Sequence, residues 1–397
     1  MRPQQSQDCA VTRIIILLSA LILNWLAGSG WSLAQQNAVF EPKASQIYLV
    51  EASTGTVLYA RGENDLIPPA SLVKLMTAEF VMHELKAGRI TEATEYKVSE
   101  FAWRTGGALS RTSTMFAALN SNIRVIDLLK GVIVQLANDG CIILAEGIAG
   151  SEAKFAELLT KRAREIGLEN SVFVNSNGLP DPGNKSTMRE LVELSQHIRA
   201  SYPDYFGLYK LEAFEWNKIF QRNKNPLVQQ NIGVDGLAMG FSEGYGYSVV
   251  ATVERGGIRL FLAMGGLKTD KERAEETRRV LDWGLTNFHK QVVFRKGDLI
   301  AEAPVFGGDS GRVPLLAGED VDIYVPNDNP ERVRARITYR WPLKAPVAQG
   351  QEIGTLVISL GERPVRNIAV HASTDVGTGT LTSKAFDGLK ELLFFWL

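Results

Sequence analysis

The 397-residue chain has few of the groups that most often announce a function. It has two cysteines, Cys9 and Cys141, so no disulfide framework holds it together. Cys141 sits in "NDGCIILAEGI", where a small buried hydrophobe is the expected role. The four histidines, His83, His197, His289 and His371, show no ligand spacing, so no metal site is readable and no cofactor is expected. The formal net charge is -1, which gives no electrostatic footprint for nucleic acid. What the N-terminus does have is one apolar run, "IIILLSALILNWLAG", after Arg2 and Arg13. The "SLA" at 32–34 has the small-x-small pattern of an export cleavage site. Residues 1–34 therefore read as a signal peptide, and cleavage after Ala34 would also remove Cys9. The alternative is an uncleaved anchor, although the run is short for a membrane span.

The rest has globular composition, 45% hydrophobic and 22% charged, with length for two or three domains. "IYLVEASTGTVLYA" (47–60) predicts two short strands about a turn. From Ser71 to Leu85 the period becomes helical, with Leu72, Leu75, Met76 and Phe80 on one face. Residues 125–150 read as a further helical stretch. Residues 151–168 and 186–202 read as amphipathic helices, each opening on a serine cap. "YSVVATVERGGIRLFLAMGG" (247–266) predicts a hairpin turning at Gly256-Gly257, and a long helix follows over 270–288. From about 290 to Val376 short β runs alternate with Gly, Pro and Asp/Asn turns, which reads as a small separate β-sandwich or barrel. The C-terminal "AFDGLKELLFFWL" becomes helical again and can gather Phe386, Leu389, Leu393, Phe394 and Trp396 or Leu397 on one side. That face either packs on a domain or lies in a membrane interface, and the membrane is the expected surface for an exported chain.

Two serine patterns offer nucleophilic chemistry. "GGDSGR" (307–312) contains the Gly-Asp-Ser-Gly of chymotrypsin-like proteases, yet no histidine in a matching context precedes it, and it falls on an expected turn. "PPASLVKLMT" (68–77) places Ser71 and Lys74 three apart at a helix start, where a lysine amine reaches a serine hydroxyl. The positive end of the helix dipole favours an alkoxide there and depresses a lysine pKa. His83 cannot serve Ser71, because twelve residues along one helix span about 18 Å. Alone, an S-x-x-K pattern is also compatible with a capping serine and a solvated lysine.

The surrounding sequence distinguishes these readings. "PPASLVKLMTAEFVMHEL" resembles the start of the serine D-alanyl-D-alanine carboxypeptidases, the low-molecular-mass penicillin-binding proteins. "WRTGGALSRTSTMF" (103–116), "LLKGVIVQLANDGCIILAEGIAGSEAKF" (128–155), "FVNSNGLPDPGNKST" (173–187), "VDGLAMG" (234–240) and "PLKAPVAQGQEIGTLVI" (342–358) follow that family in order and spacing. The resemblance implies an α/β fold: a penicillin-recognising, serine transpeptidase/β-lactamase-like domain over 35–289, then a small all-β sandwich domain over 290–376. It also implies a membrane-associating tail over 377–397 on the outer face of the inner membrane, in the periplasm. The implied ligands are the D-Ala-D-Ala end of a peptidoglycan stem peptide and β-lactams, with an acyl-enzyme at Ser71.

The family carries S-x-x-K, S-x-N and K-T-G elements. The first is intact as Ser71, the implied nucleophile, and Lys74, its base. The second aligns on Leu136, Ala137 and Asn138, with leucine in place of serine. The third aligns on Ala238, Met239 and Gly240, which lack the lysine and the threonine. Leu136 cannot relay protons, and Ala238 and Met239 supply neither charge nor a hydroxyl donor. Losing one such donor costs about 10²–10³ in turnover, and losses within one network do not simply multiply. The implied oxyanion hole, the backbone N–H groups of Ser71 and Phe241, survives side-chain changes. Asn138 retains an amide for substrate. Lys224 stands near a position where the family often has arginine; it reads either as a replacement charge for a carboxylate or as a solvated loop lysine. The sequence therefore predicts a carboxypeptidase with reduced activity, or a non-catalytic relative that binds muropeptide or a cell-wall partner.

Overall fold

The computed structural model describes residues 40–327 and 333–381. The expected signal peptide and all but the first five residues of the expected tail lie outside the described residues.

Strands β1 (Gln46–Glu51) and β2 (Val57–Arg61) form the expected first hairpin. Its turn is held by the buried Glu51 carboxylate, which accepts from the N–H groups of Ser53 (2.9 Å) and Thr54 (2.8 Å). After Pro68 and Pro69 the chain enters a 3-10 turn, Ala70–Leu72, and continues as α1 (Val73–Lys86). This helix is buried on nearly every side, as an all-round apolar helix must be. A ribbon of β3 (Glu95–Lys97) and β4 (Asn122–Arg124) brackets the short α2 (Glu100–Thr105).

The helical stretch expected over 125–150 is two helices, α3 (Val125–Gln135) and α4 (Asn138–Ala149). They break at Leu136, which is left-handed with φ 53° and ψ 40°. Next come α5 (Glu152–Glu165), capped by Ser151 as expected, and α6 (Met188–Ser201). The cap of α6 is Thr187 rather than Ser186: the Thr187 hydroxyl accepts from Glu190 N at 3.1 Å. Ser186 instead shares a 2.9 Å hydrogen bond with Ser171. The short α7 (Pro203–Phe206) leads to a hairpin of β5 (Ala213–Trp216) and β6 (Ile219–Arg222).

Strands β7 (Val234–Ser242), β8 (Gly246–Arg255) and β9 (Ile258–Leu267) complete an antiparallel five-stranded sheet of order β2-β1-β9-β8-β7. The β8–β9 turn falls at Gly256-Gly257 as predicted, with φ of 59° and 79° that only glycine adopts freely. Helix α8 (Asp270–Thr286) lies on the sheet where Gly284 meets Leu49, Leu58 and Leu260. Met188 of α6 lies against Gly265, whose register on β1 puts it on the face opposite Leu260. The sheet thus has helices on both sides, and α1 is at the centre of the larger core. Phe80 and Phe155 meet there edge to face at 5.3 Å. Each such fully buried aromatic contributes about 1.5–3 kcal/mol.

The remaining strands are β10 (Phe288–Phe294), β11 (Leu299–Phe306), β12 (Arg312–Leu316), β13 (Val321–Pro326), β14 (Val333–Tyr339), β15 (Leu343–Lys344), β16 (Glu352–Leu360) and β17 (Arg363–Ala372). A six-stranded sheet of order β14-β16-β17-β12-β11-β15 shares one core with the β10–β13 ribbon, through Val313, Ile323, Leu356, Ile358 and Val370. The Gly-Asp-Ser-Gly segment is the turn between β11 and β12. This all-β part meets the first hairpin where Tyr324 N donates to Thr56 Oγ1 at 3.1 Å and Arg363 Nη1 donates to Leu58 O at 3.1 Å.

Candidate active site

Ser71 lies in the 3-10 turn, and Lys74 is the second residue of α1. The lysine Nζ donates to Ser71 Oγ at 3.0 Å and also to the carbonyl of Asn177. One turn further on, Thr77 Oγ1 donates to Ser176 O at 2.5 Å, so the 176–178 loop runs along α1. Gly178 closes that loop with φ +74°, and a Cβ on it would lie 1.8 Å from Ala70 O. No other residue fits so near the serine turn. Lys74 is 2% exposed. Burial lowers its pKa from 10.5 to about 8, opposed in part by Cys141 and Glu152. Burial is the largest cause, and it acts in the direction expected from sequence. Near pH 8 half of the amines are free to accept a proton.

The second motif lies at the junction of α3 and α4, and Cys141 in the first turn of α4 faces Lys74. Leu136 is 8% exposed and occupies the left-handed corner between the helices. Asn138 donates from Nδ2 to Thr112 Oγ1 at 2.8 Å, while its buried Oδ1 has no hydrogen-bond partner among the described residues. The next residue, Asp139, binds the 114–117 segment: it accepts from Thr114 Oγ1 (2.5 Å), Met115 N (3.0 Å) and Ala117 N (3.0 Å).

The third motif lies on the edge strand β7. Ala238 and Met239 are buried and apolar. A Cβ on Gly240 would lie 2.8 Å from Ser248 Oγ, 3.1 Å from Pro69 O and 3.4 Å from Ala70 Cβ. The glycine therefore lets the edge strand press against the serine turn, which brings the first and third motifs together. Phe241 is 55% exposed and its ring lies 4.7 Å from that of Tyr247. Lys224 is exposed, and its N–H donates to Val134 O at 3.0 Å. The structure thus ties its main chain to the end of α3, two residues before Leu136.

Sequence reasoning missed Arg273. This arginine of α8 is 8% exposed, donates to Gly240 O at 3.4 Å and to Asp270, and lies 5.5 Å over the Tyr247 ring. It places a cation against β7 beside Gly240. The available signal was its place in the first helical turn, where a cation opposes the helix dipole. Among the described residues no group of three or more His, Cys, Asp or Glu could hold a metal.

The model for the D-alanyl-D-alanine carboxypeptidase family matches residues 33–268, and the model for the penicillin-binding protein 5 C-terminal domain matches residues 288–378. The chain belongs to the D-alanyl-D-alanine carboxypeptidase family. It is 33% identical over 342 residues to the D-alanyl-D-alanine carboxypeptidase DacC of Escherichia coli, covering 85% of this chain and 86% of that one. It is 32% identical over 378 residues to the carboxypeptidase DacA of Haemophilus influenzae, covering 93% of this chain and 96% of that one. The solved penicillin binding protein 5 from Haemophilus influenzae superimposes with a TM-score of 0.71 at 33% identity, covering 85% of this chain and 98% of that one. As a D-alanyl-D-alanine carboxypeptidase relative, the chain has an N-terminal α/β catalytic-type domain and a C-terminal all-β domain. Its Ser71 and Lys74 are in hydrogen-bond contact, and Leu136, Ala238 and Met239 are buried and apolar.

Proposed function

We propose that the protein is a serine-type D-Ala-D-Ala carboxypeptidase that acts on peptidoglycan stem peptides through an acyl-enzyme at Ser71, at a reduced rate. The observation that carries this reading is the buried Lys74 amine, 3.0 Å from Ser71 Oγ and oriented by the Asn177 carbonyl. The free amine takes the serine proton as Oγ attacks the penultimate D-alanine carbonyl. The N–H groups of Ser71 and Phe241 hold the developing oxyanion. Collapse expels D-alanine, whose amine takes up a proton, and water then cleaves the ester. Asn138 offers its unpartnered Oδ1 to a substrate N–H. Leu136 has no hydroxyl to pass the proton from Lys74 to the leaving amine, so that is the step slowed.

The same reading covers β-lactams as acylating ligands, a boundary between the two domains near residue 290, and a periplasmic location with the tail on the membrane. Among the described residues no helix is long and apolar enough to cross a membrane. A fluorescent penicillin is expected to label wild-type protein and not Ser71→Ala; a folded wild type that takes no label would overturn the proposal.

A second reading, a non-catalytic muropeptide-binding relative, is favoured by one observation: Leu136, Ala238 and Met239 are all buried and apolar. It predicts that muropeptide binds with micromolar or tighter affinity without release of D-alanine, even after long incubation.

A further inference from the structure

Three donors of one loop converge on a single carboxylate oxygen next to the Ser71–Lys74 pair. Glu152 Oε1 accepts from Ser176 N at 3.1 Å, Ser176 Oγ at 2.6 Å and Asn177 Nδ2 at 3.3 Å. The carbonyl of Asn177 in turn accepts from Lys74 Nζ. We infer that Glu152, in the first turn of α5, is a positioning residue for the Ser71–Lys74 pair, fixing the loop whose carbonyl aims the lysine amine at the serine. The inference rests on the reading of Ser71 and Lys74 as nucleophile and base.

The rest of the loop is built to transmit that hold. Thr77 Oγ1 binds Ser176 O at 2.5 Å from the α1 side. Asn177 Oδ1 accepts from Leu179 N at 2.8 Å, and Asn175 Oδ1 accepts from Gly178 N at 2.7 Å. These bonds make 175–179 one stiff turn, so an anchor at Ser176 and Asn177 sets where the Asn177 carbonyl sits. An ionised acceptor makes shorter and stronger bonds than a neutral one, which suits a site that must collect three donors. Helix capping does not account for the placement. Ser151 already caps α5, and an acid that served only the helix dipole would face solvent rather than Ser176 and Asn177.

The charge of Glu152 has a second effect. The titratable groups that face Lys74 are Cys141 from α4 and Glu152 from α5. The thiol of Cys141 is pushed up to about 12 by burial, so it is neutral at working pH. Glu152 is then the facing anion, and it favours the ammonium form of Lys74. It works against burial, raising the pH at which the base becomes free, while it fixes the base's direction.

The test titrates Lys74 by NMR in full-length protein carrying lysine labelled with ¹³C at Cε, with Lys74→Ala identifying the resonance. The same proteins are acylated with a fluorescent penicillin across pH. Glu152→Gln keeps an acceptor oxygen and removes the charge. It is expected to move the Lys74 titration, and the midpoint of the acylation profile, to lower pH. Glu152→Ala removes the anchor as well and is expected to slow acylation at the high-pH plateau by about 10- to 100-fold. If both variants titrate Lys74 at the wild-type pH, the inference is wrong. It is also wrong if Glu152→Ala loses rate and stability together without moving that titration, which would mark a merely structural residue. A wild type that is never acylated refutes the proposed function instead, and the NMR titration alone then decides the role of Glu152.

Discussion

Replacing Lys74 by methionine should stabilise the protein at neutral pH while abolishing acylation. The lysine is 2% exposed, and its fall in pKa from 10.5 to about 8 corresponds to about 3 kcal/mol against the folded state at pH 7. Methionine fills a similar volume without the charge. It forfeits two hydrogen bonds, to Ser71 Oγ and to Asn177 O, each with a net contribution of about 1 kcal/mol. The expected gain is about 1–2 kcal/mol at pH 7, read by urea denaturation with tryptophan fluorescence. The pH dependence gives a sharper check. Because the folded pKa lies below the unfolded one, the unfolded chain binds more protons between about pH 8 and 10.5, and wild-type stability rises with pH across that window. The methionine variant lacks this rise, so its advantage shrinks above pH 8 and reverses by pH 10.5, where only the lost hydrogen bonds remain. A variant that is less stable than wild type at pH 7, or a difference flat with pH, would refute the buried-amine argument.

Acylation of wild-type protein by penicillin should rise with pH through a midpoint near 8, since about one-tenth of Lys74 amines are free at pH 7; a rate constant from pH 6 to 9 would contradict this. Restoring Leu136→Ser, Ala238→Lys and Met239→Thr together should raise D-alanine release by about 10²–10³ or more, and each single change should give far less. Unchanged release would mean that these positions do not limit turnover. Arg162→Ala should lower stability by about 3–5 kcal/mol in urea, because it strips Glu79, fully buried on α1, of a 2.9 Å ion pair. A loss below about 1 kcal/mol would show that the pair does not hold α1 to α5. Gly178→Ala should slow acylation by at least about tenfold, because its Cβ would meet Ala70 O at 1.8 Å and displace the serine turn. A variant with wild-type labelling rates would contradict that close approach.

The elements legible in sequence are those with a local cause. The hairpin at Gly256-Gly257, the Ser151 cap and the helix after Ser71 depend on residues within a few positions of one another. The break at Leu136 was hidden, because an apolar residue inside an apolar run gives no warning of left-handed backbone. Thr187 displaced Ser186 as the cap of α6 because Ser186 is taken up by Ser171, fifteen residues earlier. At the site, spacing made Ser71 and Lys74 candidates, and family order was needed to choose them and to place the other motif positions. What could not be read was long-range. The Asn177 carbonyl reaches Lys74 from 103 residues away, and Arg273 reaches Gly240 across 33. Both contacts exist only once the loops and β7 are packed, so composition and periodicity carry no trace of them. The burial that lowers the lysine pKa could not be read for the same reason, since burial is a property of the assembled core.

Ester formation at Ser71 is the step on which the proposed activity depends most directly. Intact-mass and peptide-mapping spectrometry of protein treated with benzylpenicillin at pH 8.5–9 measures it. The prediction is one adduct per chain on the peptide containing Ser71, absent from Ser71→Ala and Lys74→Met. Folded wild-type protein with no adduct, or with an adduct on another residue, would contradict it.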